Sequence, residues 1–293
     1  GSGKTTLMNL LLGIMLPDKG EICMGDKSIL EMGLNEWRNQ FAVVGQKPYL
    51  FYGTVKDNID LYNEKDDEDI EKLANQLGIE LNIEHHRKGY SYIVQDNGTN
   101  LSGGEKQKIA CASVSVSDPP IMVLDEPSSN LDISATEDLR RMIQLWKEQG
   151  KTVVIAEHRL YYLRDLIDRV LYLEDGKIEK DYSASEALAL SAEQQIQMGL
   201  RPFNIFEFPI SIRALTDQRR FICTNFHFAY TRQYDALHID SLTLPQGSII
   251  AVIGHNGAGK STFARCLCGL EKHCKGVVNI NGNQYNRKQR LSL

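Results

Sequence analysis

The sequence predicts an α/β fold in which a mostly parallel sheet is covered by helices on both faces. Three observations carry this reading. Short β-branched runs alternate with stretches of helical spacing along most of the chain. The apolar run "PIMVLD" at 120–125 ends on a carboxylate followed by a second one. A glycine-rich phrase with a lysine, "GSGKTTLMNLLLG", opens the chain, and a related phrase, "GHNGAGKSTFARCLCG", returns at 254–269.

Taken in order, strands are expected at 41–45 ("FAVVG"), 120–125, 152–157 ("TVVIAE") and 169–178 ("RVLYLEDGKI"). Helices are expected at 4–13, 67–77, 103–117, 134–149 and 160–167, the last two amphipathic by spacing. Residues 182–216 read as a linker, a polar helix followed by an irregular segment marked by proline. Beyond it "FICTNFHFAY" and "HIDSLTL" read as short antiparallel strands, and "SIIAVI" at 248–253 as a buried strand feeding the second glycine phrase.

Composition bounds the class. With 293 residues, 42% hydrophobic and 24% charged, the chain holds material for one full domain and part of another. A formal net charge of −5, without basic runs, gives no footprint for nucleic acid. No apolar run approaches the roughly 18 residues of a membrane span, and no signal peptide is visible, so a soluble cytoplasmic protein is expected. Six cysteines lack zinc-finger spacing and are expected as reduced thiols.

The glycine phrases carry a mechanism. Gly254, Gly259, Lys260 and Ser261 fit G-x-x-x-x-G-K-[ST], with Asn256, Gly257 and Thr262 in the same loop and helix start. Glycines let the backbone curl around phosphates, and N–H groups at the helix start face the anion. The lysine reaches the terminal phosphates, and the Ser261 hydroxyl suits Mg²⁺. Shifted by 256 positions, Gly257 becomes Gly1, Gly259 becomes Gly3, Lys260 becomes Lys4 and Ser261 becomes Thr5, with Ser2 and Thr6 completing the first copy. The first glycine of that copy, and the strand before it, would precede residue 1. The expectation is a fragment of a longer tandem protein whose second copy stops at Leu293.

"LSGGEKQKIA" at 101–110, "IMVLDEP" at 121–127, "SSNLD" at 128–132 and "EHR" at 157–159 follow the first phrase in series. In that order and spacing they resemble the ATP-binding cassette family. The resemblance covers nearly the whole chain. It implies a phosphate-loop NTPase fold of the cassette type with a helical signature subdomain. The chain would hold one nearly complete cassette (1–181) and the N-terminal part of a second (217–293). The cofactors it implies are ATP and Mg²⁺. Asp125 would hold Mg²⁺ through water, Glu126 would orient or deprotonate the attacking water, and His158 would contact the γ-phosphate. Gln46 would contact Mg²⁺ and water while coupling to a membrane partner, and Thr5 and Ser261 would be Mg²⁺ ligands. Ser102, Gly103 and Gly104, with Asp132 of "SSNLD", would complete the nucleotide site of a second cassette in a head-to-tail dimer. Tyr230, 24 positions before Gly254, resembles the aromatic residue that stacks on adenine.

Two branches of the family are visible. From about residue 108 onward "IACASVSVSDPPIMVLDEPSSNLD", "VVIAEHRLYYLRDLIDRVLYLEDGKI" and "MGLRPFN" resemble the ATP-binding component of energy-coupling-factor importers of vitamins, precursors or metal ions. The first hundred residues, "VVGQKPYLFYGTVKDNIDLY" and "IVQDNGTNLSGGEKQ", resemble an exporter cassette. Either the family varies this widely or two genes join near the shared signature. The leading expectation is an importer ATPase at the cytoplasmic face of the membrane, bound to transmembrane subunits through "QKPYLF" at 46–51. The alternatives are an exporter cassette or a soluble cassette ATPase acting on ribosomes or DNA. A folded chain is expected to keep its two cassettes separate; in the alternative, "SIIAVI" enters the first sheet between "PIMVLD" and "TVVIAE".

Overall fold

The computed structural model describes residues 2–62, 64–76, 89–204, 220–231, 234–254 and 257–291. The chain divides into two units, Gly1–Phe208 and Pro209–Leu293, each with its own core.

In the first unit, helix α1 (Lys4–Leu11) starts from Gly3, which holds the left-handed conformation with φ 90° and ψ 5°. Its buried face, Met8 with Leu12 beyond its end, packs on Val123 and Ala156 of the central sheet. That sheet has three parallel strands in the order β1 (Phe41–Val44), β2 (Ile121–Asp125), β3 (Thr152–Ala156). β1 and β3 each pair directly with β2, Val44 opposite Leu124 and Asp125 opposite Ala156. Met122, Val123 and Leu124 are all buried, as expected of a strand covered on both faces.

The other cover comes from α2 (Asp67–Gln76), α3 (Gly103–Val116) and α4 (Ile133–Glu148), joined by a core of Val55, Ile59, Ile70, Ile109, Leu139, Met142 and Trp146. α4 buries Thr136, Leu139, Met142, Ile143 and Trp146, the three-and-four spacing of an amphipathic helix. Lys108 of α3 and Asp138 of α4 form an ion pair of 2.6 Å between the two helices.

Several expectations are corrected. The run 169–178 is not one strand but the first half of a hairpin, β4 (Arg169–Glu174) and β5 (Lys177–Ser183). Asp175 and Gly176, both at positive φ, turn the chain, as an Asp-Gly pair favours. The helix expected at 160–167 is only a single 3₁₀ turn, Tyr161–Leu163. The linker is structured through residue 204: β5 runs into it, then α5 (Ala184–Leu188) and α6 (Ala192–Gln197), each opened by a serine and its partner three residues on. Residues 205–216 of the expected linker lie outside the described residues.

The second unit is an antiparallel sheet in the order β7-β6-β8-β9, from β6 (Arg220–Thr231), β7 (Tyr234–Pro245), β8 (Lys275–Ile280) and β9 (Asn283–Tyr285). β6 and β7 are twelve residues each, longer than expected. Helix α7 (Lys260–Leu267) packs Cys266 against Cys223, Phe226, Phe228 and Val278 of this sheet. "SIIAVI" forms no strand: 249–254 carry no regular structure and Ile249 and Ile253 stand exposed. A strand of this kind needs a parallel neighbour, and the described strands of this unit pair only antiparallel. Nor does it enter the first sheet, because β2 and β3 pair with each other without an intervening strand.

Candidate active site

The ends of the parallel strands bring the three expected catalytic side chains together, two of them on the carboxylate of the third. β1 ends at Val44, two residues before Gln46; β2 ends at Asp125, so Glu126 follows directly; β3 ends at Ala156, two residues before His158. Gln46 Nε2 donates to Glu126 Oε2 at 2.9 Å, and His158 Nε2 lies 3.2 Å from Glu126 Oε1. A glutamine, a glutamate and a histidine from three separate segments thus meet because their strands are parallel and in register. Glu126 N–H is anchored on Ala156 C=O at 2.8 Å, and the residue sits at φ 45°, in the left-handed region that glutamate rarely adopts. Such strain concentrates where a side chain must be aimed.

Asp125 stands beside them. Burial pushes its carboxyl above the ordinary aspartate range and the neighbouring Glu126 charge pushes it further, while the Lys4 ammonium pulls it back. A cation placed beside this pair of carboxylates would relieve both the burial and the Asp125–Glu126 repulsion, which is what a Mg²⁺ holder offers. Lys4 Nζ donates to Ser2 Oγ at 3.0 Å, and Thr5 and Thr6 are exposed in the first turn of α1. The donor set of Thr5 and Asp125, with Gln46 at 126's carboxylate, fits a hard cation and a phosphate chain. Gly1 lies outside the described residues.

The segment after Glu126 is braced by side chains that carried no expected role. Glu157 Oε1 accepts the N–H groups of His158 and Arg159, and Glu157 Oε2 accepts from Ser128 N–H and from the hydroxyl of buried Tyr162. Arg159 donates to the carbonyls of Ser128, Leu131 and Ser129. Both residues of "EHR" that flank the histidine thus fasten the turn 128–131 to the end of β3.

The signature rests on that turn. Ser102 caps α3: its Oγ accepts from Glu105 N–H and its own N–H donates to Glu105. A side chain on Gly103 would put its Cβ 2.9 Å from Asn130 C=O, and one on Gly104 would meet Ala135 Cβ at 2.9 Å. The two glycines are required by the close approach of α3 to 130–135. Asp132 caps α4, its Oδ1 accepting Ala135 N–H at 2.9 Å.

Asn58 is a third residue that the sequence reading passed over. It is buried, accepts Phe51 N–H on Oδ1, and donates to the carbonyls of Phe51 and Thr54. "GTVKDNI" contained it only as part of a resemblance; the geometry shows it clamping the 46–54 loop. Leu50 is buried there, while Tyr49 and Phe51 are 62% and 51% exposed with rings 5.2 Å apart in a T-shape.

In the second unit, Gly259 repeats the left-handed start, φ 86° and ψ 8°. Lys260 Nζ donates to Gly254 C=O at 2.8 Å, and Ser261 is exposed. Tyr230, 64% exposed, has its hydroxyl 3.2 Å from Thr262 Oγ1, which puts the expected aromatic platform beside the helix start. Gly257 is at φ 84°, and Asn256 lies outside the described residues.

Comparison with known proteins bears on the family. A putative ABC transporter ATP-binding protein of Treponema denticola is 33% identical over 99% of this chain, and the chain spans 61% of that relative's length. A probable multidrug resistance ABC transporter ATP-binding/permease protein of Bacillus subtilis, YheH, is 34% identical over 66% of the chain, which covers 28% of it. A solved bacterial Atm1-family ABC exporter with ATP bound superposes with a TM-score of 0.59 at 27% identity, over 68% of this chain and 35% of that one. These named transporters favour the exporter alternative over the importer expectation. Among the described residues no helix is long and apolar enough to cross a membrane. The sequence model of the family described as "ABC transporter" matches residues 1–129 and 237–293, a span that takes in both glycine-lysine loops and the Asp125–Glu126 pair, and the chain belongs to that family.

Proposed function

We propose that the chain is the ATP-binding and ATP-hydrolysing part of an ABC transporter, with an exporter-type cassette in residues 1–181 and the N-terminal part of a second cassette in 217–293. The observation that carries the proposal is the convergence of Gln46 and His158 on Glu126, next to Asp125 and Lys4. Lys4 and the N–H groups of the first turn of α1 bind the phosphates. Thr5 and Asp125 hold Mg²⁺, which supplies charge neutralisation on the phosphate chain. Glu126 takes the proton of the attacking water, a role for a carboxylate fixed in plane by hydrogen bonds to both oxygens. His158, donating from Nε2, and the Gln46 amide aim it.

Ser102, Gly103, Gly104 and Asp132 face a nucleotide held by another cassette in a head-to-tail pair, and Tyr230 stacks on adenine beside Lys260, Ser261 and Thr262. The exposed Tyr49 and Phe51 form the contact for a transmembrane subunit, held by Leu50 and Asn58 from beneath. The site lies at the cytoplasmic face of the membrane. The relatives that match about two thirds of the chain support export; the importer reading rests on the sequence style after residue 108 alone.

The test is ATP turnover with Mg²⁺ in protein carrying His158→Ala or Gln46→Ala. Loss of turnover with retained ATP binding supports the site. Full turnover in both variants sinks it.

A further inference from the structure

The outer face of the antiparallel sheet carries a second chemistry. In β6, Phe226 and Phe228 are buried, so strand alternation turns His227 to the opposite face. In β7, Leu237 and Ile239 pack on the same core, so His238 and Asp240 share that outer face. His227 and His238 are direct cross-strand partners, their rings 4.0 Å apart at 78°. His238 Nε2 lies 3.2 Å from Asp240 Oδ1, and one ligand atom from each of the three residues falls within 4.8 Å of the others. The glycine-lysine loops use none of these side chains.

We propose that His227, His238 and Asp240 form a binding site for a borderline divalent transition ion of the Zn²⁺ type, which clamps β6 to β7. Two imidazoles and one carboxylate are the donors such ions favour, whereas Mg²⁺ and Ca²⁺ select oxygen alone. Three protein ligands leave the fourth position to water. In a tetrahedral site with bonds of about 2.0–2.1 Å, two ligand atoms lie about 3.3–3.4 Å apart. The ligand atoms here lie within 4.8 Å of one another, so the widest pair has to close by up to about 1.5 Å, within reach of side-chain rotation. The backbone needs no change, because the register already pairs the histidines. Asp240 supplies negative charge, while Lys275 of β8, the partner of His227 across the other edge of β6, is a cation on the same face that a bound ion would have to displace. The ion would fasten the strand that, three residues on, bears Tyr230. This site stands independently of the nucleotide reading.

The test is titration of the full chain with Zn²⁺ by calorimetry and with Co²⁺ by visible absorption. One equivalent should bind, and the Co²⁺ complex should show weak d–d bands without an intense thiolate band. His238→Asn and Asp240→Asn should each weaken Zn²⁺ binding by at least the roughly 10-fold that loss of even an outer-shell partner costs. Three results would overturn the proposal: no uptake by the wild-type chain, a thiolate band that assigns the ion to cysteines, or affinity lost with His158→Asn but kept in a His227→Asn/His238→Asn double variant. Should a variant misfold, the wild-type Co²⁺ spectrum still decides between imidazole and thiolate ligation.

Discussion

The two glycine-lysine loops of this chain are nearly the same object in different surroundings. Gly3 and Gly259 have φ of 90° and 86°, and each starts an eight-residue helix. Downstream, the hairpin Cys23–Met24/Lys27–Ser28 corresponds by the same 256-position shift to the facing parts of β8 and β9. In the first copy that hairpin is two residues per strand and stands as its own sheet. In the second, β8 is six residues long and continues onto β6 and β7. The loop and helix are thus written locally, in glycine conformations and a helix start. The length of the hairpin is not local; it follows from whether another strand lies alongside to take its hydrogen bonds. The expected site residues divide the other way: Asp125, Glu126 and His158 accompany the first loop, and Tyr230 accompanies the second.

The largest expected effect breaks the first side of this comparison. Glu126→Gln should leave ATP binding nearly intact and cut steady-state turnover by about 10²-fold or more, the scale of a lost general base. Turnover kept within about 3-fold would mean that the carboxylate is not the base. Glutamine preserves the size of the side chain and one acceptor for Gln46, so a binding defect would point to misplacement of β2 instead.

Gln46, Glu126 and His158 were legible through the resemblance to the cassette family, and the structure adds why they meet: each follows a strand end, and parallel strands deliver their C-terminal ends to one edge. Glu157, Arg159 and Asn58 were not, because their work is hydrogen bonding to backbone groups of loops, some about thirty residues away and, for Asn58, in the loop just before it. Periodicity does not report such partners. "SIIAVI" misled for a related reason: an apolar run states what a strand would bury, but not whether a neighbour is there to bury it. The "EDG" of 174–176 did carry a turn signal that the reading of 169–178 as one strand passed over.

The second prediction tests the surroundings directly. Gly20 and Gly276 occupy equivalent positions, at φ 85° and 110°. A Cβ on Gly20 meets nothing within 4 Å, whereas one on Gly276 would lie 2.6 Å from Asn225 C=O and from the Phe226 ring. Gly20→Ala should cost only the left-handed strain, about 1–2 kcal/mol. Gly276→Ala should cost that plus about 1–3 kcal/mol of overpacking. Both tryptophans, Trp37 and Trp146, lie in the first unit, so fluorescence-monitored denaturation reads Gly20→Ala there. Hydrogen exchange in β6 and β8 reads the other. Equal costs would show that the added strands do not bear on the second loop.

A third, smaller effect separates the two lysines. Lys4 is held by Ser2 Oγ with its charge directed at Asp125, and Lys260 by Gly254 C=O. If each binds phosphate in its own unit, Lys4→Ala and Lys260→Ala should each weaken ATP binding at one of two sites. The expected loss is about 10-fold or more, the worth of a charge-assisted hydrogen bond. Binding stoichiometry by calorimetry distinguishes this from a single shared site, at which either variant would weaken all of the binding.

The smallest expected effect concerns Asp125 without nucleotide. Burial and the charge of Glu126 raise its pKa in the folded protein, with Lys4 opposing them. A carboxyl raised on folding binds its proton more tightly in the native state than in the unfolded one. Stability is therefore lost as pH rises from the ordinary aspartate value through the raised one, and it stays lost above. Asp125→Asn removes that penalty. In nucleotide-free, Mg²⁺-free protein the variant should match wild type at a pH below the ordinary aspartate value and melt slightly higher at pH 7. The gain is modest because the side chain is only partly buried and solvent screens it. With Mg²⁺ and ATP the order should reverse, since the same carboxylate then faces a cation and its charge becomes favourable. A pH 7 melting temperature lower in the variant than in wild type without ligand would mean that the Asp125 charge already has a stabilising partner, and that Lys4 outweighs both burial and Glu126.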